Sequence, residues 1–253
     1  MLEVSAVIIS YNEERNIARC IESLLQVVDE IVVVDSGSND RTLEILKSYD
    51  VKVIFHAFQG HIQQKNFALT KASHDFVLSL DADECLSEDL KKSILDIKTS
   101  KSITQAYSMN RLTNYCGKWI KHCGWYPDEK VRFFDRRIAS WGGENPHDKI
   151  MLRSGLKAVK LKGDILHYSY YSISDHLMQI EKFTTIAAHA AFQNGKKSSL
   201  LKIVIAPLHK FIRDYFIKLG FLDGFEGFVI CRLSAMATFS KYVKLRMLNK
   251  GTK

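Results

Sequence analysis

Three sets of polar residues stand directly after apolar runs and carry the chemistry to hold a charged ligand. Asp81-Ala82-Asp83-Glu84 follows the run 76–80, Ser10-Tyr11-Asn12-Glu13 follows 4–9, and Asp35-Ser36-Gly37-Ser38 follows 30–34. In an extended backbone residues two apart project to the same side, so Asp81 and Asp83 can address one cation together. Hard oxygen ligands of this kind suit Mg2+ or Mn2+, ions usually shared with substrate phosphates and water. Such a cation screens a diphosphate that two bare carboxylates repel. Nearby, Tyr11 offers an aromatic face to a base and Asp35 an acceptor to a base imide or ribose hydroxyl. Lys65, in Gln63-Gln64-Lys65-Asn66, has the reach for a phosphate. No GxGxxG follows the first apolar run and no GxxxxGK[ST] occurs, so a nucleotide must be gripped by side chains.

Bringing the three sets together requires a particular scaffold. Residues 4–9, 30–34, 51–55 and 76–80 are short β-rich runs without polar alternation, as expected of strands buried on both faces. Between them, 15–25, 41–49 and 62–72 read as amphipathic helices. That alternation predicts an α/β fold, Rossmann-like, with a mostly parallel sheet, helices on both faces and a ligand crevice at the carboxyl ends of the strands. After about residue 99 the pattern changes to shorter, mixed strands over 106–115, 130–134 and 158–161, then a helix over 173–192. Two further amphipathic helices are expected from about 200, the first after Pro207 and the second after Gly224. The expected division is a nucleotide-binding half, 1–98, an acceptor-binding and catalytic half of the same domain, 99–196, and a basic helical region, 197–253.

Composition narrows the class. With 46% hydrophobic and 25% charged residues, the 253-residue chain is of globular rather than disordered type. Its five cysteines are odd in number and form no CxxC pair, which suits reduced thiols in a cytosolic protein. The start carries no basic leader, and no uncharged apolar run approaches the roughly 18 to 20 residues that span a bilayer. From Lys197 onward eleven basic residues face three acidic ones, which accounts for the whole net charge of +8. Leu201, Val204, Ile205, Leu208 and Ile212 project to one helical face with Lys202, Lys210, Arg213 and Lys218 at its flanks. This layout predicts peripheral docking on an anionic membrane. Positive charge alone also suits a polyanion-binding protein, but no helix-turn-helix, zinc or RRM signature accompanies it, so nucleic acid is not the expected partner.

Taken together, Val7-Ile8-Ile9-Ser10-Tyr11-Asn12-Glu13, Ile31-Val32-Val33-Val34-Asp35-Ser36-Gly37-Ser38-Asn39-Asp40-Arg41-Thr42 and Asp81-Ala82-Asp83-Glu84 resemble a family 2 glycosyltransferase of the GT-A fold. Gly124-Trp125-Tyr126-Pro127-Asp128 and Arg132-Phe133-Phe134 are similar to the subgroup that adds sugars to lipopolysaccharide inner core. The resemblance implies that Ser10, Tyr11, Asn12, Glu13, Asp35, Lys65, Asp81 and Ala82 hold a nucleotide sugar. It further implies that Asp81 and Asp83 hold the metal, with His167 able to complete the shell. The base of an inverting transfer is expected within 141–148, where glycines allow close approach; related enzymes carry a His-Glu pair there, and the matching residue is Asp148, with Glu144 in reserve. Trp125, Tyr126 and Arg132 are assigned to the acceptor. The implied activity is hexosyl transfer, glucosyl in the first instance, from a UDP-sugar to a membrane-held glycolipid at the cytosolic face. A sugar-1-phosphate nucleotidyltransferase is the competing enzyme class, although its glycine-rich N-terminal phosphate loop is replaced here by Ser10-Tyr11-Asn12.

Overall fold

The computed structural model describes residues 1–100, 104–144 and 147–251, with the side chains of Glu144 and His147 outside the description. The chain runs β1 (Val4–Ser10), α1 (Ile17–Leu24), β2 (Glu30–Asp35), α2 (Thr42–Leu46), β3 (Lys52–Phe55), α3 (His61–Lys71) and β4 (Phe76–Asp81). It continues through β5 (Glu84–Leu86), α4 (Glu88–Thr99), β6 (Ala106–Tyr115), β7 (Lys118–Ile120), β8 (Glu129–Asp135), β9 (Ala139–Glu144), β10 (His147–Leu152) and β11 (Val159–Tyr170). Three helices close it: α5 (Ile173–Gln193), α6 (Leu200–Ile212) and α7 (Gly224–Asn249). Two compact units emerge, Met1–Arg111 with Asp128–Tyr168, and Leu112–Pro127 with Ser169–Lys253.

In the first unit β3, β2, β1 and β4 pair in parallel, as the strand–helix alternation predicts. β1 lies between β2 and β4, so the ends of the three strands that carry polar sets stand side by side: Ser10 pairs with Asp35, and Ile9 with Asp81. The remaining strands extend the sheet in the order β8, β6, β11 and β5. β8 is antiparallel to β4 and to β6, and β5 is antiparallel to β11. Successive side chains of β1 point to opposite faces. Ala6 and Ile8 pack with Ile17 and Ile21 of α1, Leu46 of α2 and Leu90 and Ile94 of α4. Val7 packs on the other face with Ala68 and Leu69 of α3 and with Trp141. Burying both faces in this way, at about 1.5 to 3 kcal/mol for each fully covered aliphatic side chain, is what the unbroken apolar runs encode.

The expected strand over 158–161 and the apolar stretch around Ile165 form one twelve-residue strand, β11. Its length depends on Gly163, which has φ +95° and passes so close to α4 that an added Cβ would stand 2.3 Å from the backbone nitrogen of Leu90. Ser87, the α4 cap, holds the crossing: its hydroxyl accepts from Leu90 N and Asp164 N, and its own N–H donates to Asp164 O. Because the clash is with backbone and φ is positive, Gly163→Ala is expected to destabilise the fold by about 2 to 4 kcal/mol. Urea unfolding measures this; a variant as stable as the wild type would show that β11 is free to move off α4.

The second unit is mainly helical. Tyr115, Trp125, Tyr170 and His176 form an aromatic cluster, with ring centroids 5.9 Å apart for Tyr115–Trp125 and 4.8 Å for Tyr170–His176. Burial pushes the His176 ring down to about 4, so it is neutral at physiological pH and pairs with the Tyr115 hydroxyl at 3.0 Å. The first of the two C-terminal helices does not begin after Pro207 as expected. It starts at Leu200, where Ser199 accepts a hydrogen bond from Lys202 N, and Pro207 lies inside it. A proline there costs one backbone hydrogen bond and steric strain, about 3 kcal/mol in an isolated helix. Packing offsets that cost: Phe211, with Tyr215 one turn beyond, meets Phe228 of α7 at 6.1 and 5.9 Å between ring centroids. Among the described residues no helix is long and apolar enough to cross a membrane.

Candidate active site

The loops after β1 and β2 are built as one piece. Asp35 is buried; its Oδ1 accepts from the backbone N–H groups of Gly37 and Ser38, and its Oδ2 accepts from the hydroxyls of Ser10 at 2.8 Å and Ser38 at 2.6 Å. Asn12, with φ +56°, donates its N–H to Ser38 Oγ and accepts from Asn39 N, and Glu13 N donates to Thr42 Oγ1. The polar residues therefore hold one another in place before any ligand arrives. Tyr11 is 57% exposed, which leaves its ring face available to a base. Burial, and then the neighbouring charge of Asp83, push Glu13 up to about 7.

At the end of β4 a network of alternating charges forms. Lys65, buried on α3, lies 2.9 Å from Asp81 Oδ1 and 2.8 Å from Asp148 Oδ2. Arg132, buried on β8, sets Nη2 3.2 Å from Asp81 and 3.0 Å from Glu84. Glu84 in turn accepts from Asp81 N at 3.0 Å and lies 3.5 Å from Arg111. Burial by itself would raise the Asp81 carboxyl, but the charges of Lys65 and Arg132 outweigh it and hold the group well below the usual carboxylate range. Ala82 is buried beneath this turn.

Asp83 points elsewhere, to His167 of β11, with 3.1 Å between Oδ2 and Nε2. Burial disfavours the charged ring, yet the Asp83 carboxylate more than compensates and raises His167 above its ordinary value. The two atoms form a hydrogen bond with each other, and a divalent ion held by both would take the place of the proton between them. Among the described residues no group of three His, Cys, Asp or Glu side chains is gathered for a metal. A two-residue holdfast still fits Mg2+, which keeps water and phosphate oxygens in its remaining positions.

Asp148 reaches the network from the β9–β10 hairpin, where it stands opposite Gly143. That hairpin is fastened to α3 by Asn66, whose side chain donates to Trp141 O and accepts from Trp141 N, both at 2.9 Å. The Trp141 ring lies 4.3 Å from Lys65 Nζ and 5.0 Å from Arg132 Cζ, within range of cation–π attraction to both. Trp141 Nε1 and Arg132 Nε and Nη1 are buried donors without a hydrogen-bond acceptor among the described residues. Glu144 ends β9, and its side chain lies outside the described residues.

Of the residues expected at the acceptor, Arg132 sits among the carboxylates of the first unit, whereas Trp125 belongs to the aromatic cluster of the second and Tyr126 follows it there. Sequence reasoning passed over Trp141, Asn66 and Arg111, and gave Glu84 no role of its own. Glu84 carried a signal: a carboxylate three residues after Asp81 is placed to turn back on its N–H.

The interlocked Asp35 loop, the Asp83–His167 pair and the carboxylates bridged by Lys65 and Arg132 all belong to the first compact unit. The family model for glycosyl transferase family 2 matches residues 5–156. A glycosyltransferase of Rickettsia typhi is 32% identical over 98% of this chain and 88% of its own. The lipopolysaccharide core biosynthesis glycosyltransferase LpsC of Rhizobium meliloti is 26% identical over 96% of this chain and 92% of its own. Among solved structures, glucosyl-3-phosphoglycerate synthase of Mycobacterium tuberculosis is 22% identical over 45% of this chain and 44% of its own with a TM-score of 0.36, a likeness too partial to bear on function. On the family match and the near full-length relatives, the chain belongs to glycosyl transferase family 2 and is a glycosyltransferase.

Proposed function

We propose that this glycosyltransferase moves glucose from UDP-glucose, with inversion and with Mg2+ or Mn2+, onto a lipopolysaccharide inner-core glycolipid. The acceptor is held at the cytosolic face of the membrane, to which the enzyme binds peripherally. The observation that carries this reading is the meeting of Lys65, Arg132, Asp81 and Asp148 in one network at the carboxyl end of β4. The lipopolysaccharide acceptor is supported by the likeness to LpsC along nearly the whole chain.

In this reading Tyr11 stacks on the base, and the Asp35 loop with Ser10, Asn12 and Glu13 shapes the nucleoside site. The turn at Ala82 presents its backbone to the donor. Asp83 and His167, with Asp81 beside them, would hold the divalent cation, whose charge offsets that building on the departing diphosphate. Lys65 has two carboxylates as partners, and a diphosphate competes for it strongly because a lysine serves phosphate as a point charge. Once Lys65 turns to the phosphate, the Asp148 carboxylate is left free of its ion partner to meet the acceptor hydroxyl. The acceptor hydroxyl oxygen then bonds to the anomeric carbon while the bond from that carbon to the diphosphate oxygen breaks. The hydroxyl proton passes to the Asp148 carboxylate, with Glu144 as the reserve base, and the bonding electrons leave with the diphosphate. Trp125 and Tyr126 serve the acceptor, and Arg132 braces the carboxylates from beneath.

A panel of nucleotide sugars incubated with the purified enzyme tests this reading. UDP-glucose is expected to give free UDP fastest, and UDP-galactose more slowly, because the two differ by the hydrogen bonds to one hydroxyl. Pyrophosphate as the product would overturn glycosyl transfer in favour of nucleotidyl transfer.

A further inference from the structure

We infer that α6 and the corner joining it to α7 form a wedge that inserts into the surface of an anionic lipid bilayer. This inference rests on the proposed membrane-held acceptor and specifies the surface that finds it. α6 buries only Ile203 among its described side chains. Leu201, Val204, Leu208 and Ile212 are each more than half exposed. The chain then reverses through a π-helical turn at Arg213–Ile217, a left-handed Leu219 and a 3-10 turn at Gly220–Asp223. Further apolar residues stand out from that corner, among them Ile217 at 72%, Phe221 at 44% and Phe225 at 70% exposure. Ile217 and Phe221 lie in the π and 3-10 turns, which break the 3.6-residue spacing of α6, and Phe225 opens α7.

The charges decide what covers this face. All three acidic residues beyond Lys197 are withdrawn from it. Asp214 is buried against Lys210 at 2.6 Å and Arg213 at 2.8 Å, Asp223 is buried and accepts from His122 N at 2.7 Å, and Glu226 pairs with Lys118 at 3.3 Å. Lys197, Lys202 and Lys218 remain exposed. An apolar face bordered by positive charge, with its negative charge folded inward, complements acyl chains beneath anionic headgroups. A second copy is a poor match, since two-fold pairing would bring two faces edged with lysines together. No described helix can span the bilayer, so the face lies in the interface rather than through it.

Flotation of the full-length protein with vesicles decides the matter. The wild type is expected to float with phosphatidylglycerol–phosphatidylcholine vesicles and to stay behind with phosphatidylcholine alone. Binding should weaken at least about tenfold between about 50 and 500 mM salt. Changing Ile217, Phe221 and Phe225 together to serine should lower binding at least about tenfold, with circular dichroism checking the fold because the Phe221 ring also meets Tyr215. Changing Lys197, Lys202 and Lys218 together to glutamate should abolish the preference for anionic vesicles. Lys210 and Arg213 are left intact because they neutralise buried Asp214. UDP release from UDP-glucose without vesicles is read in parallel and should match the wild type in both variants. Its absence from the wild type would refute the proposed donor, while vesicle binding would still report on the wedge. Equal partition of the wild type to neutral and anionic vesicles would overturn the wedge. So would a solution dimer, seen by light scattering, that the serine substitutions dissociate while vesicle binding persists.

Discussion

Replacing Asp83 by asparagine is expected to reduce glycosyl transfer by more than about 10³-fold while leaving the fold intact. Asparagine keeps the shape of the side chain and an oxygen for His167 Nε2, now 3.1 Å away, but removes the charge that a divalent ion requires. Asp81 alone would leave the ion a single carboxylate, one whose charge is shared with Arg132. Two measurements separate loss of metal from loss of structure. Circular dichroism should superimpose on the wild type, and excess manganese should fail to restore the variant. Wild-type activity should vanish in excess EDTA and return when metal is added back. Full wild-type activity in EDTA would refute the metal reading whatever the variant does.

The second large effect is expected at Asp148. A base acts on the acceptor hydroxyl and contributes little to the grip on the nucleotide, so Asp148→Asn should slow turnover by roughly 10² to 10⁴-fold with donor affinity near normal. The structure makes that split demanding, because Asp148 also touches Lys65 at 2.8 Å. If its role were only to set the position and charge of Lys65, the variant would change donor affinity, read as altered UDP binding by calorimetry. A fall in turnover with unchanged UDP affinity therefore assigns the proton transfer to Asp148. Full activity of Asp148→Asn, with Glu144→Gln inactive, would move the base to Glu144.

Much of the scaffold was legible because it is written locally. The runs at 4–9, 30–34 and 76–80 carry their own burial pattern, and the helices between them leave a parallel sheet as the compact solution. Once β1 is flanked by β2 and β4, Ser10, Asp35 and Asp81 must stand at one edge, as the pairing shows. The extent of β11 was less legible: Gly163 interrupts the apolar pattern of a strand that needs it in order to pass α4. The start of α6 was misread at Pro207, whose local cost is overridden by aromatic packing on α7 that no window of sequence contains.

By itself, then, the sequence determined the parallel sheet and the polar strand ends, which follow from the apolar runs and the strand–helix alternation, whereas Asp81 and Asp83, expected on one side of an extended strand, are split by the turn that begins at Ala82 and face different partners. Only the tertiary structure decided how the charges are shared. Lys65 bridges to Asp148, 83 positions away, Arg132 locks onto Asp81, 51 away, and His167 onto Asp83, 84 away. These partners come from a hairpin and from strands added antiparallel to the sheet, and their meeting depends on register and on the Asn66 clamp. The energy of an ion pair depends on separation and burial, and for residues so far apart along the chain both are fixed by the folded structure alone.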